Sequence, residues 1–323
     1  MRTTVEVDVA APRKRRRGWL AWTVVALLAL WAVLRVGGLE WGSFPTQLMT
    51  VTPYGAGLAA VVALLSLLRR NRPAALAAAI VGVVMASVVV PRAFGADQPV
   101  TGGPALRVLT VNLFGRGDAQ AVVELVRRYD VEVLSALELT YSVAAALDAA
   151  GMKELLPYRV LQPEFGATGS GIYSRHPATE LTGLFTPIGH NMPAATLSLA
   201  GGRKVELVAV HPNPPLGRKE AEWRAVLRDL PSASSSAIRV LAGDFNASLD
   251  HRAFRDLLER GYVDAASQVG QGLTPTWPNF RAIPPIISID HILVDRRAGV
   301  AHVEILDVPK SDHRAVYADL RLP

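Results

Sequence analysis

The sequence predicts an α/β domain preceded by membrane-spanning helices, and three observations lead to this prediction. Three long apolar runs lie within the first 90 residues. From about residue 105 onward, strand-like and helix-like segments alternate. Most strand-like runs in this second region end in a small group of polar residues. The first observation indicates a membrane domain, and the other two indicate an open α/β sheet that carries its chemistry at the strand ends.

The three apolar runs are close to the roughly 17–25 residues that a helix needs to cross a bilayer. They cover residues 18–36, 51–68 and 73–90 and are rich in Ala and Gly, as packed transmembrane helices often are. A signal peptide explains one such run but not three. Buried helices of a soluble protein are the alternative. The second and third runs are short, and either one is compatible with a tilted or partial span.

The basic residues around these runs predict their orientation. A basic head, residues 1–17, precedes the first run, and the arginine-rich segment 69–72 separates the second from the third. The loop 37–53 has no Lys or Arg, so the positive-inside rule places the head and the segment 69–72 in the cytoplasm. Arg35 and Arg92 fall on the outer side and weaken this contrast. Three crossings then place the α/β domain outside the cytoplasmic membrane.

The positive charge of the chain is confined to the apolar region. Residues 1–103 hold 11 Lys and Arg against 4 Asp and Glu, whereas the remaining residues hold 23 against 24. A domain with a net charge of −1 has no bulk attraction for a polyanion, so no stable nucleic-acid partner is expected. The chain has no cysteine, which excludes disulfides and Cys-ligated zinc.

The segment 91–104 contains Pro, Gly and Asp and is predicted to be a linker to the domain formed by residues 105–323. Its length keeps that domain within roughly a few tens of ångströms of the membrane. Hydrophobic periodicity then predicts the elements of the domain. The predicted strands are 106–113, 131–139, 205–210, 238–242, 287–294 and 315–320, and the predicted helices are 119–129, 218–230 and 250–260.

Six polar clusters lie at strand ends, where an open α/β sheet places its ligands because the loops there converge on one crevice. A single cluster of this kind is more often a turn or a helix cap. Six in one domain, rich in carboxylate, amide and imidazole groups, indicate a site. In chain order they are 110–112, 137–138, 210–212, 243–246, 289–291 and 311–313.

These side chains are suited to metal-assisted phosphoester hydrolysis. Glu138 and Asp312 suit a hard divalent cation, Mg²⁺ or Mn²⁺, which prefers oxygen ligands. Asp244 is suited to orient or deprotonate a water molecule. Asp290 can hold His313 in one tautomer and favour its cationic form. Uncharged or switchable donors for phosphoryl oxygens are Asn112, His211 and Asn246.

The order of the motifs resembles the endonuclease/exonuclease/phosphatase superfamily from about Leu106 to the C-terminus, chiefly through Gly-Asp-Phe-Asn and Ser-Asp-His. The resemblance implies a four-layer α/β sandwich with two facing mixed sheets. Members often carry Gln where this chain has Leu137, so a hydrogen bond to the metal-binding Glu is expected to be missing. The implied roles are metal binding by Glu138 with Asp312 and Asn112 nearby, handling of water by Asp244, phosphate contact by Asn246 and His313, pairing of Asp290 with His313, and catalysis by His211.

Two further residues are candidates for contact with the substrate. His190 lies in a loop that can approach the crevice, and Trp277 can form an apolar lip over the substrate, although packing explains Trp277 equally well. Histidines without a motif around them are predicted to lie on the surface: His176, His251 and His302.

Three spans followed by such a domain resemble the actinobacterial VanJ-type proteins associated with teicoplanin resistance. The sequence therefore predicts a membrane-anchored, Mg²⁺-dependent phosphoesterase at the outer face of the cytoplasmic membrane. Its expected partner is a membrane lipid or lipid-linked phosphate, such as the cell-wall precursor undecaprenyl pyrophosphate. Two alternatives stay open: an extracytoplasmic nuclease, and a catalytically idle module that binds an envelope ligand.

Overall fold

The N-terminal region folds into a helix bundle. The computed structural model describes residues 18–99, 101–280 and 282–323, and the predicted basic head lies outside these ranges. The helices are α1 (Trp19–Gly37), α2 (Ser43–Thr50), α3 (Thr52–Leu68) and α4 (Arg72–Val89), followed by a 3-10 turn at Val90–Ala93.

Small residues let α3 and α4 pack closely. Ala59 and Ala78 are fully buried between the helices. A Cβ atom on Gly55 would lie 2.7 Å from the methyl group of Met85 and 2.9 Å from the ring of Trp31, so a larger residue there would require these side chains to move. Large apolar side chains cover the outside of the bundle, for example Leu27, Leu64 and Ile80. Small residues inside and large apolar residues outside are typical of helices packed in lipid.

Two described helices, Trp19–Gly37 and Arg72–Ala93, are long and apolar enough to cross a membrane. Helices α2 and α3 pass the same test only as a pair, which is bent by 73° between them. Alone, α3 is about 25 Å long at 1.5 Å per residue, somewhat less than the hydrocarbon core of about 30 Å. The structure thus contains two or three helices suited to span a membrane. The predicted second span, residues 51–68, counts as a span only if α2 and α3 cross the membrane together.

Residues 105–323 form two six-stranded mixed sheets. The strands are β1 (Ala105–Asn112), β2 (Val133–Leu137), β3 (Tyr158–Gln162), β4 (Ser170–Ser174), β5 (Ala178–Glu180), β6 (Ala194–Ser198), β7 (Lys204–Val210), β8 (Ile238–Asp244), β9 (Tyr262–Asp264), β10 (Asp290–Asp295), β11 (Gly299–Asp307) and β12 (Arg314–Arg321). The helices are α5 (Ala119–Arg128), α6 (Tyr141–Ala149), α7 (Met152–Leu155), α8 (Lys219–Asp229), α9 (Arg252–Glu259) and α10 (Ala265–Gln268).

The sheets pack face to face and are covered by helices outside, which confirms the two mixed sheets of the expected sandwich. The strand orders are β11-β12-β1-β2-β4-β3 and β5-β6-β7-β8-β10-β9. One apolar cluster between the sheets joins residues such as Val108 and Val240. A second cluster packs α5, α6 and α7 on the first sheet, and a third packs α8 and α9 on the second. Every strand and helix predicted from periodicity is present, with ends shifted by up to three residues.

The segment 91–104, expected to be a linker, is attached to the domain over much of its length. Gly95 forms a β-bridge with Val269, and the Ala96 amide donates to the Gln268 carbonyl at 3.1 Å. The Gln98 side chain accepts a hydrogen bond from the Val300 amide at 2.6 Å. This segment is therefore part of the domain surface and not a free tether.

Two arginines at one end of the bundle bind a single aspartate of the domain. Arg35 Nε lies 2.5 Å from Asp250 Oδ1, and Arg92 donates to both carboxylate oxygens of Asp250 at 2.7 and 2.6 Å. All three side chains are at most 10% exposed. These are the arginines that weaken the charge contrast of the loops, and their role in docking explains their position.

His251 lies beside this ion cluster, so its predicted place on the surface is wrong. The ring is fully buried, its Nε2 lies 2.9 Å from the carbonyl oxygen of Thr46 in α2, and its Nδ1 accepts from the Ser248 amide at 2.8 Å. Because Ser248 supplies a donor to Nδ1, the proton must reside on Nε2 and is donated to Thr46. His251 therefore joins the domain to the bundle by a buried hydrogen bond.

Asp250→Asn is expected to lower the free energy of unfolding of the full chain by about 3 kcal/mol, because two guanidinium groups stay buried without their carboxylate. Thermal unfolding in detergent micelles measures the loss. The matched control is Asp229→Asn, since Asp229 pairs with Arg228 on the exposed surface, where an ion pair contributes about 0–1 kcal/mol. Equal unfolding temperatures for the two variants would show that the Asp250 contacts do not support docking.

Candidate active site

The strand-end clusters meet at one edge of the sandwich. β1 and β2 are parallel in the first sheet, and β7 and β8 are parallel in the second. Asp290 opens β10 opposite Asp244, and His313 directly precedes β12, which runs antiparallel to β1. Both residues therefore lie at the edge where the parallel strands end. The four side chains delivered by the parallel strands are Asn112, Glu138, His211 and Asp244.

Asn112 connects the two sheets at this edge. Its Nδ2 lies 3.1 Å from Glu138 Oε1 and 3.2 Å from Asp244 Oδ2, while its Oδ1 accepts from the Phe114 amide at 3.0 Å. The Asn112 amide thus supplies Glu138 with a neutral donor where Leu137, in place of Gln, has none. Because its oxygen is engaged by the backbone, the geometry favours positioning over metal ligation for Asn112, and its metal role stays a prediction.

A buried ion pair determines the orientation and charge of His313. The ring donates from Nδ1 to Asp290 Oδ2 at 2.9 Å, and its Nε2 lies 3.7 Å from Asp244 Oδ2. Burial opposes a charge on the ring, but the carboxylates of Asp290, Asp244 and Asp312 outweigh burial and raise the pKa of His313 to about 10. His313 is therefore an imidazolium at neutral pH.

Asp244 lies at the centre of the polar groups. Burial, together with the charge of Asp290, raises the pKa of Asp244 to about 7 against the opposing effect of His313. Its Oδ1 accepts from the Asn246 amide at 2.8 Å. Its Oδ2 faces Asn112 and two imidazoles. A carboxylate whose pKa is close to neutral is suited to accept a proton from water.

Two of the site residues have a left-handed backbone, which is strained at Glu138 and more readily adopted by an asparagine such as Asn246. Glu138 has a φ of 51° and Asn246 a φ of 48°, in the left-handed region that residues other than glycine seldom adopt. Asn246 Nδ2 donates to the Pro212 carbonyl at 3.1 Å, which ties the β8 loop to the loop that follows β7. Strain of this kind concentrates at functional sites, where the surrounding structure holds it in place.

His211 and His190 form a buried pair. Their Nδ1 atoms are 3.2 Å apart. Burial and neighbouring positive charges lower the pKa of each ring, so both are neutral at neutral pH. His211 Nε2 lies 3.8 Å from Asp244 and 4.0 Å from Glu138, and two nearby carboxylates favour a proton on that nitrogen. His211 Nδ1 then accepts a hydrogen bond from His190 Nδ1, and this contact holds the His211 ring in its orientation.

The site has more carboxylates than cations and suits a divalent metal. Asp312 Oδ1 is buried and has no hydrogen-bond partner within the described ranges, and burial raises the pKa of Glu138. Asp312 can therefore serve as an oxygen ligand for a hard cation, and Glu138 can do so through the carboxylate oxygen that Asn112 does not contact. The ligand atoms of Asp244, Asp290 and His313 also lie within 4.8 Å of one another. There, however, the cationic His313 has both ring nitrogens protonated and offers no lone pair to a metal, so Glu138 and Asp312 fit a metal better.

Trp277 lies beside the candidate metal ligand Asp312. Its Nε1 is 3.4 Å from Asp312 Oδ2, and its ring centroid is 6.4 Å from that of His313. The ring is half-buried. Trp277 therefore lies at the candidate site, next to Asp312 and His313, and its role as a lip over the substrate stays a prediction.

Three supporting residues were not assigned roles from the sequence. Ser311 Oγ donates to the Asn112 carbonyl at 2.6 Å and accepts from the His313 amide at 3.0 Å. His291 bridges Asp264 and the Ala247 carbonyl, both at 2.9 Å. Ser311 and His291 lie within the recognised motifs, which was the available signal. Thr276 lies in the segment Thr276-Trp277-Pro278 expected to form a lip, but its hydroxyl had no predicted role, and its Oγ1 accepts from the amides of Ile289 and Asp290.

Comparisons with solved structures agree with this fold. An endonuclease/exonuclease/phosphatase from Beutenbergia cavernae has 21% identity and a TM-score of 0.53, with 68% of this chain and 72% of that chain covered. A humanized D. rerio TDP2 has 18% identity and a TM-score of 0.54, with 67% and 98% covered. An endonuclease/exonuclease/phosphatase from Bacteroides vulgatus has 18% identity and a TM-score of 0.52, with 68% and 100% covered.

At the level of sequence, no curated protein matches the chain significantly. A family model described as the endonuclease/exonuclease/phosphatase family matches residues 109–313, which include every strand-end cluster. The match covers more than half of the chain. The chain therefore belongs to the endonuclease/exonuclease/phosphatase family.

Proposed function

We propose that the protein is a metal-dependent phosphoesterase, anchored in the cytoplasmic membrane, that hydrolyses a lipid-linked phosphate with Mg²⁺ or Mn²⁺. The observation that carries this proposal is the buried Asp312 carboxylate oxygen, which has no hydrogen-bond partner among the described residues and whose residue acts electrostatically on Glu138, in a site that also holds a base and an imidazolium. Binding alone does not need this combination, so an idle module is disfavoured. The fold alone does not identify the substrate. The position of the site relative to the membrane is therefore the basis for proposing a substrate.

In this proposal the side chains divide the reaction among them. Glu138 and Asp312 hold the metal, which when bound supplies Lewis-acid polarisation of a phosphoryl oxygen. Asp244 orients the attacking water and accepts its proton. His313, kept cationic by Asp290, places a fixed positive charge where negative charge develops in the transition state. Further donors to phosphoryl oxygens are His211 and Asn246, whereas the Asn112 amide, expected from the sequence to be such a donor, is engaged by Glu138 and Asp244 and positions these two carboxylates.

We further propose that the domain lies outside the cytoplasmic membrane. Arg35 and Arg92 bind the domain at one end of the bundle, whereas the segment 69–72 lies at the other end, beside Gly18. The positive-inside rule assigns the second end to the cytoplasm. A reporter that folds only outside the cytoplasm is expected to be active when fused after Pro323, and a cytoplasmic reporter when inserted at Arg70. The reverse pattern would refute the orientation.

The docked position of the domain favours a lipid substrate over DNA. A lipid headgroup is confined to the same surface as the site, so anchoring raises its local concentration as a tether does. A domain of net charge −1 offers little general attraction for DNA. We therefore propose a cell-wall intermediate such as undecaprenyl pyrophosphate as substrate, and a VanJ-type role in teicoplanin resistance.

The test compares phosphate release from undecaprenyl pyrophosphate in vesicles with cleavage of DNA by the same full-length preparation in Mg²⁺. Release from the lipid that exceeds DNA cleavage supports the proposal. Rapid DNA cleavage without lipid turnover would assign the protein to the extracytoplasmic nucleases. The second outcome has a structural precedent in fold only, since one similar structure is of D. rerio TDP2 with a single-stranded DNA product.

A further inference from the structure

A short hairpin runs from the site to the helix bundle. It consists of segments 276–280 and 283–288, and we call it the Trp277 hairpin. Trp277 and Ile287 exchange two backbone hydrogen bonds of 2.9 Å, and Phe280 forms a bridge with Ile283 closer to the tip. At the site, the Asn279 amide donates to the Asp312 carbonyl at 2.6 Å. The hairpin therefore holds the backbone of a candidate metal ligand.

The same hairpin touches the helix bundle. Tyr54, in the first turn of α3, donates from its hydroxyl to the Ile286 carbonyl at 2.8 Å. Nearby, Ser43 of α2 donates to the Pro215 carbonyl at 3.0 Å and accepts from the Gly217 amide at 3.0 Å. The loop after β7 and the Trp277 hairpin thus both rest on the end of the bundle where the spans emerge.

Exposed apolar side chains concentrate on these contacting loops. Among the described residues of 105–323, eight large apolar side chains are exposed, and five of them lie in loops that border the bundle. Exposure to water does not explain why exposed apolar side chains cluster on these loops, whereas contact with an adjacent bilayer does. The five are Leu216, Leu273, Phe280, Ile283 and Ile286.

The dimensions of the hairpin match those of a membrane interface. Trp277 and Phe280 are three residue steps apart, which is at most about 10 Å of extended chain. The headgroup layer on each side of a bilayer is roughly 5–8 Å thick. A hairpin whose tip reaches the acyl boundary therefore places Trp277 and Asp312 at the level of the phosphates.

We propose that the Trp277 hairpin is a membrane-contacting lip whose residues Phe280, Ile283 and Ile286 insert into the outer-leaflet interface. A lipid-borne phosphate then reaches Asp312 from the plane of the bilayer, while its chains stay in the membrane. This inference rests on the proposed function and adds the route by which the substrate enters. The occupant of the apolar surface is the lipid bilayer, because the surface continues that of the spanning helices.

The chain has no cysteine, so single-cysteine variants of the full-length protein report depth directly. Phe280→Cys and Ile283→Cys are labelled with an environment-sensitive fluorophore in vesicles of phosphatidylcholine and phosphatidylglycerol, with or without nitroxide-labelled lipid. Leu64→Cys, on the outside of α3, is the membrane control. Tyr158→Cys is the aqueous control, because Tyr158 is exposed and pairs with Ser174 at the sheet end away from the site.

Labels at 280 and 283 are expected to be quenched by nitroxide lipid as the Leu64 label is, whereas the Tyr158 label is not. Quenching at 280 and 283 no stronger than at 158 would overturn the proposal. In a second measurement, Phe280→Ser with Ile283→Ser is expected to lower the ratio of vesicle-borne to soluble phosphoester turnover on the order of tenfold, because apolar burial is lost. An unchanged ratio would also count against the lip.

The two proposals fail in different ways. Quenched labels without phosphate release from any vesicle-borne lipid would leave the lip in place and overturn the lipid substrate. Lipid turnover with unquenched labels at 280 and 283 would overturn the lip and leave the substrate in place.

Discussion

Glu138→Gln and Asp244→Asn are each expected to lower turnover on the order of 10³-fold or more. Glu138→Gln keeps the size of the side chain and removes the charge that a divalent cation needs. Asp244→Asn removes the group that accepts the proton of water, at a position where burial raises the pKa to about 7. The initial rate of phosphate release in saturating Mg²⁺ measures both losses, and EDTA is expected to reproduce them in the unaltered protein.

The fold is expected to survive both substitutions. Asp244 lies close to the carboxylate of Asp290, so its replacement by Asn relieves repulsion and should not lower the unfolding temperature in the absence of metal. Glu124→Gln and Asp229→Asn are matched controls on exposed helix faces and should retain full activity. Full activity in EDTA, or in either site variant, would contradict the mechanism and revive the binding-module alternative.

The strands and their polar ends could be predicted because both depend on local patterns. β8 is buried on both faces, so Ile238 to Ala242 are apolar except for Arg239, and the strand ends in Gly-Asp-Phe-Asn. Edge strands such as β5 and β9 have only three residues each, too few for a period to show. Helix α6 was missed for a related reason, since its residues are small and mostly apolar on all sides.

Contacts between segments that are distant along the chain could not be predicted from the sequence. His251 has no motif around it, and its burial arises only because α2 packs on the loop after β8. His190 precedes β6 and His211 follows β7, so their contact joins residues separated along the chain by two strands. Arg35 and Arg92 likewise reach Asp250 across more than 150 residues of chain. A charge count of the loops treats these arginines as orientation signals, although docking accounts for them.

Asp290→Asn is expected to lower turnover at neutral pH by roughly 10³-fold, by analogy with the loss of a carboxylate that orients a catalytic histidine. The physical reason lies in the pKa of His313. With Asp290 present that pKa is about 10, and Asp290 makes the largest contribution against burial. Without the carboxylate, burial of the ring lowers the pKa, and the imidazolium loses its proton at lower pH.

The pH profile separates this explanation from general damage to β10. Activity that requires cationic His313 is retained below the pKa of the ring and lost as pH rises through it. In the unaltered protein that loss is expected only near pH 10, whereas in Asp290→Asn it is expected at a clearly lower pH. Asp295→Asn is the control, because Asp295 is equally buried at the other end of β10 and pairs with Arg297. If kcat falls by the same factor at every pH in both variants, damage to the strand and not the charge of His313 explains the loss.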